Sequence, residues 1–265
     1  MKEIDENKTA WGLLSRDHYE HFKIALTRNK TVLSNLIQKE LGDINGKTIL
    51  HLQCNTGADT ISLARMGATV TGIDLVPDNI MYANKLAAEL NIKNVKFIEE
   101  DLMEMDLSKY NDKYDIVFTS EGVLCWLPDL QKWADIIGHF LKDDGLFYLN
   151  DSHPFFMMLN ENILKNNELK IKYPYFKKEA ENDEWIGGYA AEPKRAKNHG
   201  WMYTIGEILN SLMRAGLYVE NFNEYDTLFF QLNGMIKNSN GEWHYPFFTE
   251  KMPFQFSLKA RILKK

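Results

Sequence analysis

Thr48-Ile49-Leu50-His51-Leu52-Gln53-Cys54-Asn55-Thr56-Gly57-Ala58-Asp59 is the stretch that decides the fold. Thr48 to Leu52 is an apolar run of strand length, and Ala58 to Met66 reads as a helix stopped by Gly67. The same rhythm repeats downstream. Ala68 to Ile73 reads as a second strand, and Pro77 to Leu90 as a second helix with Pro77 suited to its first turn. Val95 to Ile98 and Tyr114 to Thr119 read as the third and fourth strands. Leu130 to Leu141 reads as a crossover helix, and Leu146 to Asn150 as the fifth strand. Strands alternating with helices over short connections predict an α/β fold: a doubly wound parallel sheet, helices on both faces, right-handed crossovers.

Working outward, His18 to Ala25 and Val32 to Leu41 have apolar residues at helical spacing, which predicts a helical segment over 1–45. The core follows over 46–151. After Asn150 the rhythm breaks. Residues 152–203 are rich in aromatic, Asn, Lys and Glu residues and show no clean period, so they are expected to form a lid or binding insertion. Residues 204–265 return to the core pattern. Thr204 to Ala215 is an amphipathic helix ended by Gly216, and Leu217 to Glu224 and Phe254 to Leu263 read as strands. Asn240-Gly241 signals a turn between them.

The 265 residues carry 31 Lys plus Arg against 37 Asp plus Glu, a formal net charge of −6. Proteins that track phosphate backbones carry a basic excess, so nucleic acid is not expected as a partner. Two isolated cysteines, Cys54 and Cys125, make neither a disulfide framework nor a metal cluster. Met1 to Ala10 lacks the apolar run of a signal peptide, and no stretch reaches membrane-spanning length. A cytoplasmic protein with reduced thiols, a monomer or a homodimer, is expected.

Ligands of open α/β sheets bind beyond the carboxyl ends of the strands. After the first strand, Gly57 lets backbone approach a ligand closely, and Asn55 or Thr56 is suited to cap the next helix. A dinucleotide fingerprint wants three glycines here; this loop has one. After the second strand, Asp74 follows Gly57 at a span suited to a ribose-binding acid, whose carboxylate accepts two hydroxyls; the alternative is a helix cap. After the third strand, Asp101 with its neighbours suits an adenine amino group, or is a solvated turn. After the fourth, Ser120, Glu121 and Gly122 are placed to line a pocket, and Trp126 is either core or wall.

These runs resemble the class I methyltransferases that depend on S-adenosylmethionine (SAM). Within that superfamily, Ile49 to Gly57, Leu124-Cys125-Trp126-Leu127-Pro128-Asp129-Leu130 and His153-Pro154 look like a bacterial branch of small-molecule methyltransferases, with a methyltransferase type 11/12-like domain. The resemblance implies a Rossmann-like, seven-stranded sheet with the last strand antiparallel. It implies SAM as cofactor and a small-molecule methyl acceptor as partner. It places Gln53, Cys54, Asn55, Thr56, Gly57 and Asp59 around the methionine part, and Asp74 with Leu75 at the ribose. Asp101 and Leu102 would bracket the adenine; Ser120, Glu121, Gly122 and Trp126 would lie near the sulfonium. The family's first loop begins with an acid and holds several glycines, whereas here Gln53-Cys54-Asn55-Thr56 stands in their place.

A base is needed only where the acceptor must lose a proton. His153, just past the fifth strand, and Tyr19, beside His18 on the N-terminal helix, are the candidates, against structural roles for all three. Trp185, Tyr189, His199, Trp201 and Tyr203 either wall an acceptor pocket or form the underside of a lid. Cys54 and Cys125 read as pocket lining rather than nucleophiles, and no spacing suggests a metal site. Two other function classes share this pattern: a non-catalytic SAM-binding regulator, and a nicotinamide-dependent oxidoreductase, which the single glycine disfavours.

Overall fold

A computed structural model describes residues 1–188 and 190–262. Five strands alternate with helices as the sequence rhythm predicts: β1 (Thr48–Leu52), β2 (Thr69–Asp74), β3 (Val95–Glu99), β4 (Tyr114–Ser120) and β5 (Leu141–Ser152). Then come β6 (Glu181–Gly188) and β7 (Ala191–Gly200), followed by β8 (Leu217–Tyr225). Last are the two-residue β9 (Ile236–Lys237) and β10 (Trp243–His244), and β11 (Gln255–Ile262). The main sheet runs β3-β2-β1-β4-β5-β11-β8. All neighbours pair parallel except β11, which is antiparallel to both β5 and β8. Strand order therefore reverses between β1 and β4, and a cleft opens there beyond their carboxyl ends.

The helices are α1 (Lys2–Arg28), α2 (Asn35–Leu41), α3 (Ala58–Arg65), α4 (Pro77–Glu89), α5 (Leu130–Phe140), α6 (Pro154–Met157), α7 (Glu161–Leu164) and α8 (Ile205–Arg214). Their starts follow local chemistry. Ser34 caps α2, Asp129 accepts from Gln131 N and Lys132 N at the start of α5, and Thr204 with Glu207 forms a capping box on α8. Each central strand feeds two cores by alternation. Leu50, Val117, Phe147 and Leu149 face α5 and α8, where Trp133 and Ile137 are buried. Ile49, Phe118 and Tyr148 face α2 and α3 on the opposite side. Each large apolar side chain buried this way contributes about 1.5–3 kcal/mol.

Three departures bear on the site. The first helix begins 16 residues before the window at His18 to Ala25, running 27 residues from Lys2 to Arg28, while the second window is met by α2. The buried stripe of the first helix is Ile4, Asn7, Ala10 and Leu14, and the polar Asn7 breaks the apolar spacing that would reveal it. Strand β5 begins five residues before Leu146 because it bulges: Tyr114 pairs with Leu141, and Ile116 with Leu146. Residues 152–203 are not patternless. They hold α6, α7 and the antiparallel β6–β7 hairpin, whose two register shifts and polar faces erase a period of two. The Asn240-Gly241 turn joins β9 to β10 as expected, with Gly241 at φ +85°.

Candidate active site

A cavity of about 1050 Å³ lies over the β1–β4 switch point. That exceeds the roughly 300–1,000 Å³ of an ordinary small-ligand site. Every residue expected to bind the cofactor lines it except Gly57. Gly57 sits behind the wall at φ +77°, where a Cβ would come within 2.7 Å of the Phe97 ring and 2.9 Å of Ala83. Its glycine is required by packing and backbone conformation, not by close approach to a ligand.

The loop after β1 is held in an unusual backbone. Gln53 (φ 57°) and Asn55 (φ 49°) both adopt left-handed conformations, which cost about 1–3 kcal/mol each. The loop is fixed from several sides. Asn55 N donates to Asp74 Oδ2 at 2.7 Å, and Thr56 N donates to Asn55 Oδ1 at 2.6 Å. Gln53 Nε2 reaches across the switch point to Val123 O at 3.1 Å. Two polar atoms stay buried without a hydrogen-bond partner, Gln53 Oε1 and Thr56 Oγ1, and both residues face the cavity. Buried groups of this kind call for a ligand or water partner.

Asp74 ends β2 as the strand rhythm predicts. It accepts from Val76 N and Asn79 Nδ2 on Oδ1, both at 3.0 Å, besides Asn55 N on Oδ2. Burial raises its pKa, against the pull of these three donors. A carboxylate has about four acceptor positions, so one remains, on Oδ2. The two-hydroxyl pairing expected from the sequence narrows to one. Asp101 Oδ1 accepts from Met103 N at 2.8 Å, closing a turn that sets Asp101 and Leu102 on the cavity wall.

The loop after β4 is tied down by a residue the sequence reading passed over. Asp151, buried near the end of β5, accepts from Gly122 N (2.9 Å), Ser152 N (2.6 Å), Val123 N (3.1 Å) and Leu124 N (3.0 Å). All its acceptor positions are filled, so it is an anchor. Glu121 (φ 62°) and Gly122 (φ 85°) lie on the turn it holds. Asp59, in the first turn of α3, accepts from Ser120 Oγ at 2.9 Å. Burial pushes the Asp59 carboxyl up to about 6. Glu121 is raised well above the carboxylate range by burial and by the charges of Asp59 and Asp151. Neither Asp59 nor Glu121 has a Lys or Arg partner among the described residues. No group of His, Cys, Asp and Glu among them is arranged for a metal ion. Two cavity-facing carboxylates that lack a cation fit a ligand that brings one.

The two expected bases stand off the cavity wall. His153 caps α6: Phe155 N donates to its Nδ1 at 3.0 Å, and its Nε2 meets Glu224 Oε1 at 2.8 Å. With both nitrogens engaged and its ring edge-on to Phe256, His153 is structural. Tyr19 turns away from the cavity to pack on Tyr82, its hydroxyl donating to Glu89 Oε2 at 2.7 Å. One helical step rotates a side chain by 100°, so it is His18 that faces the cavity. Burial lowers the His18 pKa to about 4, leaving the ring neutral at pH 7. Both cysteines line the cavity, and burial raises both thiols, as suits lining rather than nucleophiles.

The cover of the cavity comes from three segments. Helix α1 brings Trp11, His18 and Phe22. The β6–β7 hairpin brings Trp185 and Ile186. The segment before β11 brings Phe229, Leu232 and Trp243, which no sequence signal had marked. Trp11 meets Trp126 edge to face at 5.2 Å, where cover joins floor. A two-way clip fastens α1 to β7: Asn7 Nδ2 donates to His199 O (2.9 Å), and His199 N donates to Asn7 Oδ1 (2.7 Å). The His199 ring pairs with Glu6, and Lys194 pairs with Asp17 at 2.6 Å. Tyr203 points into the core and donates to Leu127 O, and Trp201 N donates to Cys125 O at 2.8 Å. Tyr189 lies outside the described residues.

The strand order and the switch-point cavity are those of SAM-dependent methyltransferases. A putative SAM-dependent methyltransferase from Listeria monocytogenes superposes with a TM-score of 0.60 at 16% identity, over 86% of this chain and 97% of that one. A DhpI–SAM–HEP complex superposes with a TM-score of 0.59 at 15% identity, over 98% and 97%. Residues 44–206 match the family described as methyltransferase domain, and the chain belongs to that family. The ubiquinone biosynthesis O-methyltransferase of Photorhabdus laumondii is 34% identical over 128 residues, 48% of this chain and 49% of that protein. The chain thus spans about half the length of the curated relatives it matches. No helix among the described residues is long and apolar enough to cross a membrane.

Proposed function

We propose that this protein transfers the methyl group of SAM to a small, uncharged or anionic acceptor with an apolar body. The observation that carries the reading is the pair Asp59 and Glu121, half-buried and facing the cavity with no Lys or Arg of the described residues paired to them. SAM brings an ammonium and a sulfonium, and when bound it supplies an activated methyl group. Asp74 offers Oδ2 to a ribose hydroxyl; Asp101 and Leu102 flank the adenine. Gln53 Oε1 and Thr56 Oγ1 are the unpaired atoms left for the amino acid end. Trp11, Trp126, Phe156, Phe229 and Trp243 line the rest and suit a flat or apolar acceptor. The O-methyltransferase names of the relatives matched over about half their length support oxygen as the acceptor atom.

The protein's own work is alignment, worth up to roughly 7–11 kcal/mol in well-oriented systems, and the exclusion of water by the cover. His18, one of the histidines on the wall and neutral at pH 7, takes the proton of an uncharged acceptor such as a phenol; an anionic acceptor needs no base. The test is a panel of phenols and apolar carboxylic acids incubated with methyl-labelled SAM. Label transfer with matching formation of S-adenosylhomocysteine (SAH) is expected. His18→Ala should lower kcat on the phenols about a hundredfold, with turnover of the carboxylates and SAH affinity little changed. Tight SAH binding with no turnover on any acceptor would favour the non-catalytic regulator instead.

A further inference from the structure

Helix α1 touches the cofactor end as well as the acceptor end. Ser15 Oγ donates to Asn79 Oδ1 at 2.6 Å, and Asn79 Nδ2 donates to Asp74 Oδ1 at 3.0 Å. All three residues are buried, at 1%, 2% and 8% exposure. The hydroxyl fixes which end of the Asn79 amide faces the carboxylate, since an amide has one acceptor end and one donor end. Ser15 has a second acceptor within reach, Trp11 O in its own helix, but that contact is longer at 3.2 Å. The helix lies close here: a Cβ on Gly12 would sit in ordinary van der Waals contact, 3.6 Å from Asp78 and 3.8 Å from Val76. Val76 is also the residue whose N–H holds Asp74 Oδ1.

The opposite flank of α1 is the one clipped to β7 through Asn7 and Lys194. A single rigid helix therefore connects the acceptor-side hairpin to the acid at the end of β2. We propose that Ser15 and Asn79 are positioning residues for Asp74, and that the docking of α1 through them sets the affinity of the ribose end of the cofactor. This rests on the assignment of Asp74 to the ribose. With α1 docked, Asn79 and Val76 fill Oδ1, and Oδ2 is left facing the ligand. With α1 displaced, the Asn79 amide loses its orientation and the carboxylate is free to turn.

The test is calorimetric titration with SAH of the full chain and of Ser15→Ala, Asp74→Asn and the double variant, with the thermal midpoint of each recorded without ligand. SAH avoids any dependence on turnover. Ser15→Ala should bind SAH about three- to tenfold more weakly, the scale of a hydrogen bond between neutral groups. The double variant should bind no more weakly than Asp74→Asn alone, because a relay has nothing left to position. Unchanged affinity in Ser15→Ala, or losses that multiply in the double variant, would overturn the relay. Wild-type affinity in Asp74→Asn is a different result: it removes the ribose assignment, and the relay with it. Should Ser15→Ala lose its fold, Ser15→Cys keeps the volume with a weaker donor and is read by the same criteria.

Discussion

The floor of the cavity and its cover are built by different means. On the floor, side chains are held by backbone amides close to them in sequence or in the next strand. Asp74 takes Val76 N, Asp101 takes Met103 N, and Asp151 takes four amides at the ends of β4 and β5. On the cover, the links are between segments far apart in the chain. Asn7 grips His199, and Lys194 grips Asp17 and Leu13 O. A floor of this kind is fixed by the sheet itself. A cover of this kind holds only while its few clips hold, so it is the part able to open for an acceptor.

That contrast is sharpened most by breaking one anchor of each kind. Asp151→Ala strips a buried acceptor from four amides. Each orphaned group costs about 1–3 kcal/mol, so urea unfolding should show a loss of at least about 3 kcal/mol, and a loss below 1 would mean that water replaces the carboxylate. Asn7→Ala should cost less, about 1–2 kcal/mol, and act locally. Proteolysis should quicken within 181–200 and KM for the acceptor should rise, with SAH affinity little changed. Cleavage as slow as wild type would show that Ile186 packing against Ala10 and Leu14, not the clip, holds the hairpin.

The smallest effect concerns protons on the floor. Burial raises Asp59 from an ordinary 3.8 to about 6, so a large share of this carboxyl is protonated below pH 6. A cationic ligand favours the ionised form. SAH binding near pH 6 should therefore release protons, and affinity should climb as pH rises through about 6 and then level off. Enthalpies measured in two buffers of different ionisation heat would reveal it, and identical values would place the ammonium elsewhere. Without ligand the linkage runs differently: ionising Asp59 costs stability as pH rises through about 6. His18 and His51, lowered from 6.5 to about 4 and about 3, lose theirs as pH falls below 6.5.

The same contrast explains what the sequence made legible. Strand ends and the acid at Asp74 follow from short apolar runs and from glycine and proline punctuation, and the wall residues of the β1 and β4 loops from their place at those strand ends and from the family resemblance. Those signals are local, and so are the contacts they encode. The cover is not local. Nothing in the run around Asn7 points to His199, 192 residues away, and the lining at 229–243 sits in a stretch whose only signal was a turn. His153 and Tyr19 misled for a related reason: residue type suggested chemistry, while the direction of each side chain was set by a cap and by a helix face. Gly57 misled more subtly, since the residue that fills its missing Cβ space, Phe97, lies 40 residues away on β3.

The central claim is that the cavity over β1 and β4 is a SAM site with its own uncompensated carboxylates. Parallel calorimetric titration with SAM, SAH and NADH tests it most directly. Micromolar binding of the two adenosyl ligands, with no heat from NADH, is the predicted result. Binding of NADH alone, or of none of the three, would contradict it.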